Sequence, residues 1–323
     1  MKNSRLLSGI SSSELKKASL ALRQGDLVAF PTETVYGLGA DATNSKALQK
    51  IFSVKGRPQN HPLIVHVHDI AAMELWVERV PEYAVKLAKK YWPGPMTLIL
   101  NRSTLASDFI TGGQETVGIR IPNHAVALNL LQEFHSLGGL GIAAPSANRF
   151  GQISPTSAQD VVEELADHLD EADIILDGGS CSIGIESTII DCTAPVPRIL
   201  RPGYIYLDKE DSNLKSQEDS SVEVSVPIVS GSLAKHYAPK AKVILSDRPK
   251  PGQAFIALDD FVTPAGVFRI SSPKDTEEFA RKLYCSLREV DQRGFGEVVI
   301  SPPTGGEFEK AILDRLTKAA NGR

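Results

Sequence analysis

Between residues 208 and 226 the chain carries six acidic residues, two lysines and five serines, with no sustained apolar pattern. A stretch of that make-up cannot bury enough apolar surface to offset the entropy of ordering it. It therefore reads as a linker, and it forces the 323 residues into two blocks that must each close a core of their own. Length agrees, since about 150 residues per domain is a usual span. The division expected is a first domain over 1–206, a linker over 207–235 and a smaller second domain over 236–323. An apolar content of 42% is ample for two cores. The net charge of −4 argues against a basic coat for nucleic acid but leaves room for a local basic pocket. Cys181, Cys192 and Cys285 form neither a zinc spacing nor a disulfide framework, which suits a reducing cytosol. With no apolar leader and no run near 18 apolar residues, the expected setting is cytoplasmic, with no membrane partner.

In the first block, Ser11 and Glu14 have capping-box spacing for a helix with Leu15, Ala18 and Leu22 as its buried stripe. Residues 27–30 read as a buried strand stopped by Pro31. The next stretch, Thr32-Glu33-Thr34-Val35-Tyr36-Gly37-Leu38-Gly39, is too polar and glycine-rich for a plain core strand. Extended, it puts Thr32, Thr34 and Tyr36 on one face; the alternative is a turn. Ala47, Leu48, Ile51 and Phe52 mark the apolar face of a second helix, which Gly56 stops. Pro58 pushes Arg57 out of the helical region. Lys55 and Arg57 thus leave the helix on a stiff, bent connector that runs into 63–68. They either complement the helix C-terminus or face an anion.

Helical patterns follow near 70–78 and 82–91, then a Trp92-Pro93-Gly94-Pro95 corner and a strand at 97–100. Residues 116–121 alternate cleanly, with Val117, Ile119 and Ile121 toward a core and Thr116, Gly118 and Arg120 on the other face. A short apolar strand from Gly141 ends in Ser146 and Asn148, which share a side if extended. Ser154-Pro155-Thr156 opens a helix over roughly 157–168, whose first amides suit an anion unless Ser and Thr cap them. Strands are expected at 173–176 and 187–190, and the block closes at Arg201-Pro202-Gly203. The second block alternates strands (243–245, 255–258, 267–270, 298–300) with helices near 275–290 and 306–320, the rhythm of an α/β sandwich.

No Walker-type phosphate loop, nucleophile elbow or H-E-x-x-H zinc helix is present. His66 and His68 share a strand face, but no cysteine or clustered carboxylate accompanies them, so no protein-built metal site is expected. What remains is Lys55, Arg57, Thr116, Arg120, Ser146, Asn148, Ser154 and Arg201: cations, hydroxyls and an amide without a nucleophile. That set fits polyanion binding and charge-stabilised transfer, with a Mg²⁺-bound nucleotide as the natural ligand.

Lys-x-Arg at 55–57, Ser146-Ala147-Asn148 far downstream and PTETVYGLG ahead of both resemble the YrdC-domain family of threonylcarbamoyl-AMP synthases. The acidic linker, the HYAP segment at 236–239 and the C-terminal block resemble its long, two-domain form. The resemblance implies a twisted mixed-sheet α/β domain with a large cavity, followed by a smaller Rossmann-like α/β domain. It implies that L-threonine, bicarbonate and ATP, with Mg²⁺, give threonylcarbamoyl-AMP and pyrophosphate. A partner tRNA transferase complex then uses the product on an adenosine next to the anticodon, with at most a weak tRNA contact by this chain. By motif, Lys55, Arg57, Ser146 and Asn148 form the catalytic quartet. Arg57, His61, Thr116, Ser146, Ser154, Arg201 and Tyr237 match ATP contacts. Thr34, His66, Arg120, Ala144 and Ser187 match threonine contacts, with Arg120 suited to gripping the carboxylate. His61 stands where the family often has Asn, and Ser230-Gly231-Ser232 replaces its usual Pro-Gly-Met. Two rivals are a carbamoyl-adenylate-forming domain of the hydrogenase-maturation type and an RNA-binding module, the latter opposed by the acidic charge.

Overall fold

The computed structural model describes residues 6–9, 11–212, 226–234, 236–306 and 308–322. Ten strands make one mixed sheet: β1 Leu6–Leu7, β2 Val28–Phe30, β3 Gly37–Asp41, β4 Ile64–His66, β5 Met96–Asn101, β6 Thr116–Arg120, β7 Ile142–Ala143, β8 Ile174–Leu176, β9 Thr188–Asp191 and β10 Arg198–Arg201. Their order is β1-β8-β2-β3-β7-β4-β6-β5-β9-β10. Strand β4 lies parallel to β6, with His66 opposite Arg120, and antiparallel to β7, with His66 opposite Ile142. Three distant stretches of sequence therefore lie side by side at the middle of the sheet.

Alternation along β2 shows how the sheet is covered. Val28 and Phe30 enter a cluster with Leu15, Leu22, Leu130 and Phe134 from helices Ser12–Gln24 and Ala125–Ser136. Ala29 enters the opposite cluster with Leu48, Ile51, Leu87 and Val161, from helices Ser45–Lys55, Glu82–Tyr91 and Ala158–Leu165. Each such aliphatic burial is worth roughly 1.5–3 kcal/mol. The cap of the first helix forms as spaced, with Ser11 Oγ accepting the Glu14 amide at 3.3 Å. The Glu14 carboxylate reaches back to the Ser8 amide at 3.1 Å.

Beyond the linker, β11 Lys242–Leu245, β12 Ala254–Ile256, β13 Phe268–Ser271 and β14 Glu297–Ile300 form a separate parallel sheet in the order β11-β14-β12-β13. Helices Thr276–Gln292 and Glu309–Ala320 pack on it through Phe279, Leu283, Leu287, Ile312 and Leu316. This is the small parallel α/β unit anticipated. Of the segment read as linker, residues 213–225 and Lys235 lie outside the described residues. Its flanks are docked rather than solvated. Lys90 pairs with Asp208 at 2.8 Å and Asp211 at 2.9 Å. The Gln114 side chain donates to the Ile228 carbonyl at 3.0 Å and accepts its amide at 2.7 Å, copying a strand pair.

Two local alternatives left open by the sequence are resolved. Residues 32–35 form a turn, not a strand: Thr32 Oγ1 accepts the amides of Thr34 and Val35 at 3.2 Å and donates to the Val35 carbonyl at 2.6 Å. The helix amides, which suited either an anion or side-chain caps, are capped. Ser157 Oγ accepts the Asp160 amide at 3.2 Å, and the Asp160 carboxylate takes the Thr156 and Ser157 amides at 2.8 and 3.0 Å.

Candidate active site

The sheet centre, the return of the linker and the second domain enclose a cavity of about 550 Å³, its open mouth included. Gly56 (φ 62) ends helix Ser45–Lys55 in the left-handed conformation and turns Arg57 into this cavity. Of the residues singled out by sequence, Arg57, Ser146, Arg201 and Tyr237 line it, together with Thr34, His66, Arg120, Ala144 and Ser187. The two half-sites implied for nucleotide and amino acid thus share one cavity.

On the first wall, Arg57 Nη2 donates to the Pro62 carbonyl at 2.9 Å and Ser230 Oγ at 3.1 Å, while its buried Nε has no partner. Burial holds its pKa down at about 10. Arg201 donates from Nε and Nη2 to the Ser187 carbonyl at 3.1 and 2.9 Å, and from Nη1 to the Ser230 carbonyl at 2.8 Å. Neutral oxygens of Ser230 therefore hold both guanidinium groups in place. Gly231 follows with φ 78, and a Cβ there would lie 2.4 Å from the Tyr237 hydroxyl. Only glycine lets that tyrosine close over the cavity. Tyr237 is 1% exposed, stacks on Tyr284 at 5.7 Å and lies under Arg315 at 5.5 Å.

On the opposite wall, Arg120 Nη2 donates to Thr34 Oγ1 at 2.9 Å and lies 2.8 Å from the carboxylate of Glu33. Its Nε is buried and unpartnered, so one edge of the guanidinium remains for an acceptor. His66 packs edge-on to Phe30, with ring centroids 5.7 Å apart. Burial, then the Arg120 charge, push its pKa down to about 3, which keeps the imidazole neutral.

Five sequence candidates stand behind or beside the cavity. Lys55 is 1% exposed, and its Nζ donates to the Ser146 carbonyl at 2.6 Å and to that of Asn148. Burial, then Arg57, hold its pKa well below the usual lysine value. Asn148 Nδ2 donates to the carbonyls of Arg149 and Gln152 at 2.7 and 2.9 Å and shapes the same loop. Ser154 Oγ donates to Glu186 at 2.6 Å. His61 packs edge-on to Phe150 at 5.3 Å, the ring that Arg57 also overlies. Thr116 lines a neighbouring crevice covered by Ile228, Val229 and Ser230. His68 stacks on His135 at 3.9 Å, away from His66's partner Phe30. Among the described residues no three His, Cys, Asp or Glu side chains cluster as metal ligands.

Sequence reasoning missed Glu33, Glu186, Tyr284 and Arg315. Glu186 lines the cavity and accepts from Ser154, from Tyr284 at 2.9 Å and from Arg315 Nε at 2.9 Å. Arg315, in the second domain, is fully buried and also donates to the Pro202 carbonyl at 2.8 Å. Burial alone would raise the Glu186 pKa, but Arg315, Arg201 and the Ser154 hydroxyl outweigh it and hold it near 2. The signal was there in sequence: a lone acid inside an apolar strand approach must be buried with a partner.

A family model described as telomere recombination (Sua5, YciO, YrdC) matches residues 20–203, and one described as the threonylcarbamoyl-AMP synthase C-terminal domain matches 199–321. The threonylcarbamoyl-AMP synthases of Pyrococcus abyssi and Bacillus subtilis are each 37% identical over 96% of this chain, covering 95% and 94% of their own lengths. A crystal structure of P. abyssi Sua5 complexed with L-threonine superposes with a TM-score of 0.84 at 35% identity, over 97% of this chain and 96% of that one. A P. abyssi variant in which a histidine and the tyrosine after it are alanine superposes at 0.81, with 34% identity over 98% of this chain and 96% of that one. Full-length HypF, 18% identical over 58% of this chain and 28% of its own, shares the fold at 0.50. Matched across both domains, the chain belongs to the threonylcarbamoyl-AMP synthase family.

Proposed function

We propose that the protein is an L-threonylcarbamoyladenylate synthase that joins L-threonine, bicarbonate and ATP into threonylcarbamoyl-AMP, releasing pyrophosphate. The observation that carries this is the single cavity uniting unpaired cations on one wall with Arg120, Thr34 and neutral His66 on the other. The threonine carboxylate meets the free edge of Arg120, and His66 offers a neutral hydrogen-bonding group to the hydroxyl or amine. The neutral amine attacks the carbon of bicarbonate, with water leaving, or adds to CO₂ with loss of a proton, and either route gives a carbamate. A carbamate oxygen then bonds to the α-phosphorus as the bond to the pyrophosphate oxygen breaks. Positioning and charge neutralisation by Arg57, Arg201 and Lys55, with no covalent enzyme intermediate, suffice for this step. Tyr237 and the linker return shield a hydrolysable carbamate and mixed anhydride from water.

The donor set suits a Mg²⁺ ion that travels with the triphosphate. Both carboxylates near the cavity, Glu33 and Glu186, are already taken up by arginines, which leaves hydroxyls such as Ser146 for a hard cation. Bound there, the metal would neutralise phosphate charge. The product would pass to a tRNA transferase partner that modifies the adenosine next to the anticodon.

Pyrophosphate release measured with each substrate omitted in turn tests the reading. Release should require threonine, bicarbonate and ATP together. A binding module would show no turnover, and a carbamoyl-adenylate former would not need threonine. Replacing Arg120 by Lys keeps the charge but loses the planar two-point grip, so the threonine KM should rise about 10–100-fold, the equivalent of about 1.5–3 kcal/mol. The KM for ATP should stay within about threefold, and an unchanged threonine KM would remove Arg120 from the amino-acid site.

A further inference from the structure

The reading above uses Thr34 and leaves Glu33 without a task. Glu33 is 4% exposed and does not line the cavity. The Thr32 turn holds its backbone, and the Ile183 amide donates to its carbonyl at 2.8 Å. One carboxylate oxygen lies 2.8 Å from Arg120 Nη2, with both side chains 5% exposed, and neither oxygen makes an aligned hydrogen bond. Among the described residues, its ion pair is therefore with Arg120 alone.

The opposite wall is built differently. Among the described residues, Lys55, Arg57 and Arg201 are held by carbonyl and hydroxyl oxygens and have no carboxylate partner. Glu186 lies nearby, but Ser154, Tyr284 and Arg315 occupy its oxygens. A cavity that seats a polyphosphate beside a monocarboxylate has a sorting problem, since a triphosphate is drawn to any bare buried cation.

We propose that Glu33 sorts the substrates. By neutralising Arg120 in place, it leaves that guanidinium able to hold the single charge of an amino-acid carboxylate while denying it to a polyphosphate. The cations on the other wall, which among the described residues are not salt-bridged to a carboxylate, then set where the polyphosphate lies. Glu33 acts through Arg120 and is a positioning and specificity residue. The inference rests on the synthase reading and deepens it.

Steady-state inhibition by tripolyphosphate tests it. In the wild-type protein tripolyphosphate should compete with ATP and not with threonine. In Glu33→Gln it should compete with both, with the threonine KM raised about tenfold and kcat at saturating threonine retained within about threefold. Glu33→Asp keeps the charge and should keep the wild-type pattern, which also carries the test if the amide variant does not fold. Competition with threonine in Glu33→Asp overturns the proposal. So does a wild-type inhibition pattern in Glu33→Gln, or a fall in kcat there at unchanged threonine KM. A wild-type protein that releases no pyrophosphate with threonine and bicarbonate would sink the synthase reading itself, an outcome visible before any variant is made.

Discussion

Lys55→Ala is expected to lower threonine- and bicarbonate-dependent pyrophosphate release about 100-fold, the scale on which a misplacement of about 1 Å at a reacting centre acts. The ammonium lies between the carbonyls of Ser146 and Asn148 and is almost wholly buried. It adds positive charge behind Arg57 and fixes the loop that brings Ser146 to the cavity wall. Folding should survive, because burying an ammonium is itself unfavourable and its loss removes that cost as well as two hydrogen bonds. A thermal melt alongside the assay separates the two effects. Near-normal turnover in a folded variant would show that Lys55 only stops a helix.

Glu186→Gln should produce the largest loss of stability, about 3–5 kcal/mol, because it removes the buried carboxylate of Arg315 and leaves only the more exposed Asp314 as its counter-charge. The pH dependence gives a sharper readout. The folded pKa is held near 2, below the ordinary 4.5, so the carboxylate contributes stability that is fully present above about pH 4.5. That contribution, about 3 kcal/mol at 1.36 kcal/mol per unit, is lost as the pH falls through 2. Denaturant unfolding of wild type and variant should therefore differ most near neutrality and converge in acid. A gap that does not change with pH would mean that Glu186 acts through shape and not through charge.

Much of the molecule was legible from periodicity. The strand read at 116–121 is Thr116–Arg120, with Thr116, Gly118 and Arg120 lining cavities as the alternation required. The four strands and two helices of the second domain also stand where alternation and helical spacing put them. What escaped was structure held only by distant partners. β1 pairs with β8, and β10 closes the far edge on β9. Their short sequences carry no pattern of their own. The turn at Thr32, one of two conformations the sequence left open, depends on one hydroxyl meeting three backbone groups, a local competition that β-branched composition does not decide. Lys55, Asn148 and Ser154 were picked out by motif, yet they reach the cavity through a carbonyl, a loop and Glu186, and residue spacing contains no such indirect route.

The bond between Glu186, just ahead of β9, and Arg315 joins the first domain to the last described helix. A ribosome delivers these partners in that order and far apart in time. The nascent first domain must hold that carboxylate with Arg201 nearby but without its direct ion-pair partner, and until helix Glu309–Ala320 arrives neither Arg315 over Tyr237 nor Lys318 on the Gly231 carbonyl is in place. Assembly of the cavity thus waits for helix Glu309–Ala320, and a chain that stops short of it has no finished wall around the cavity.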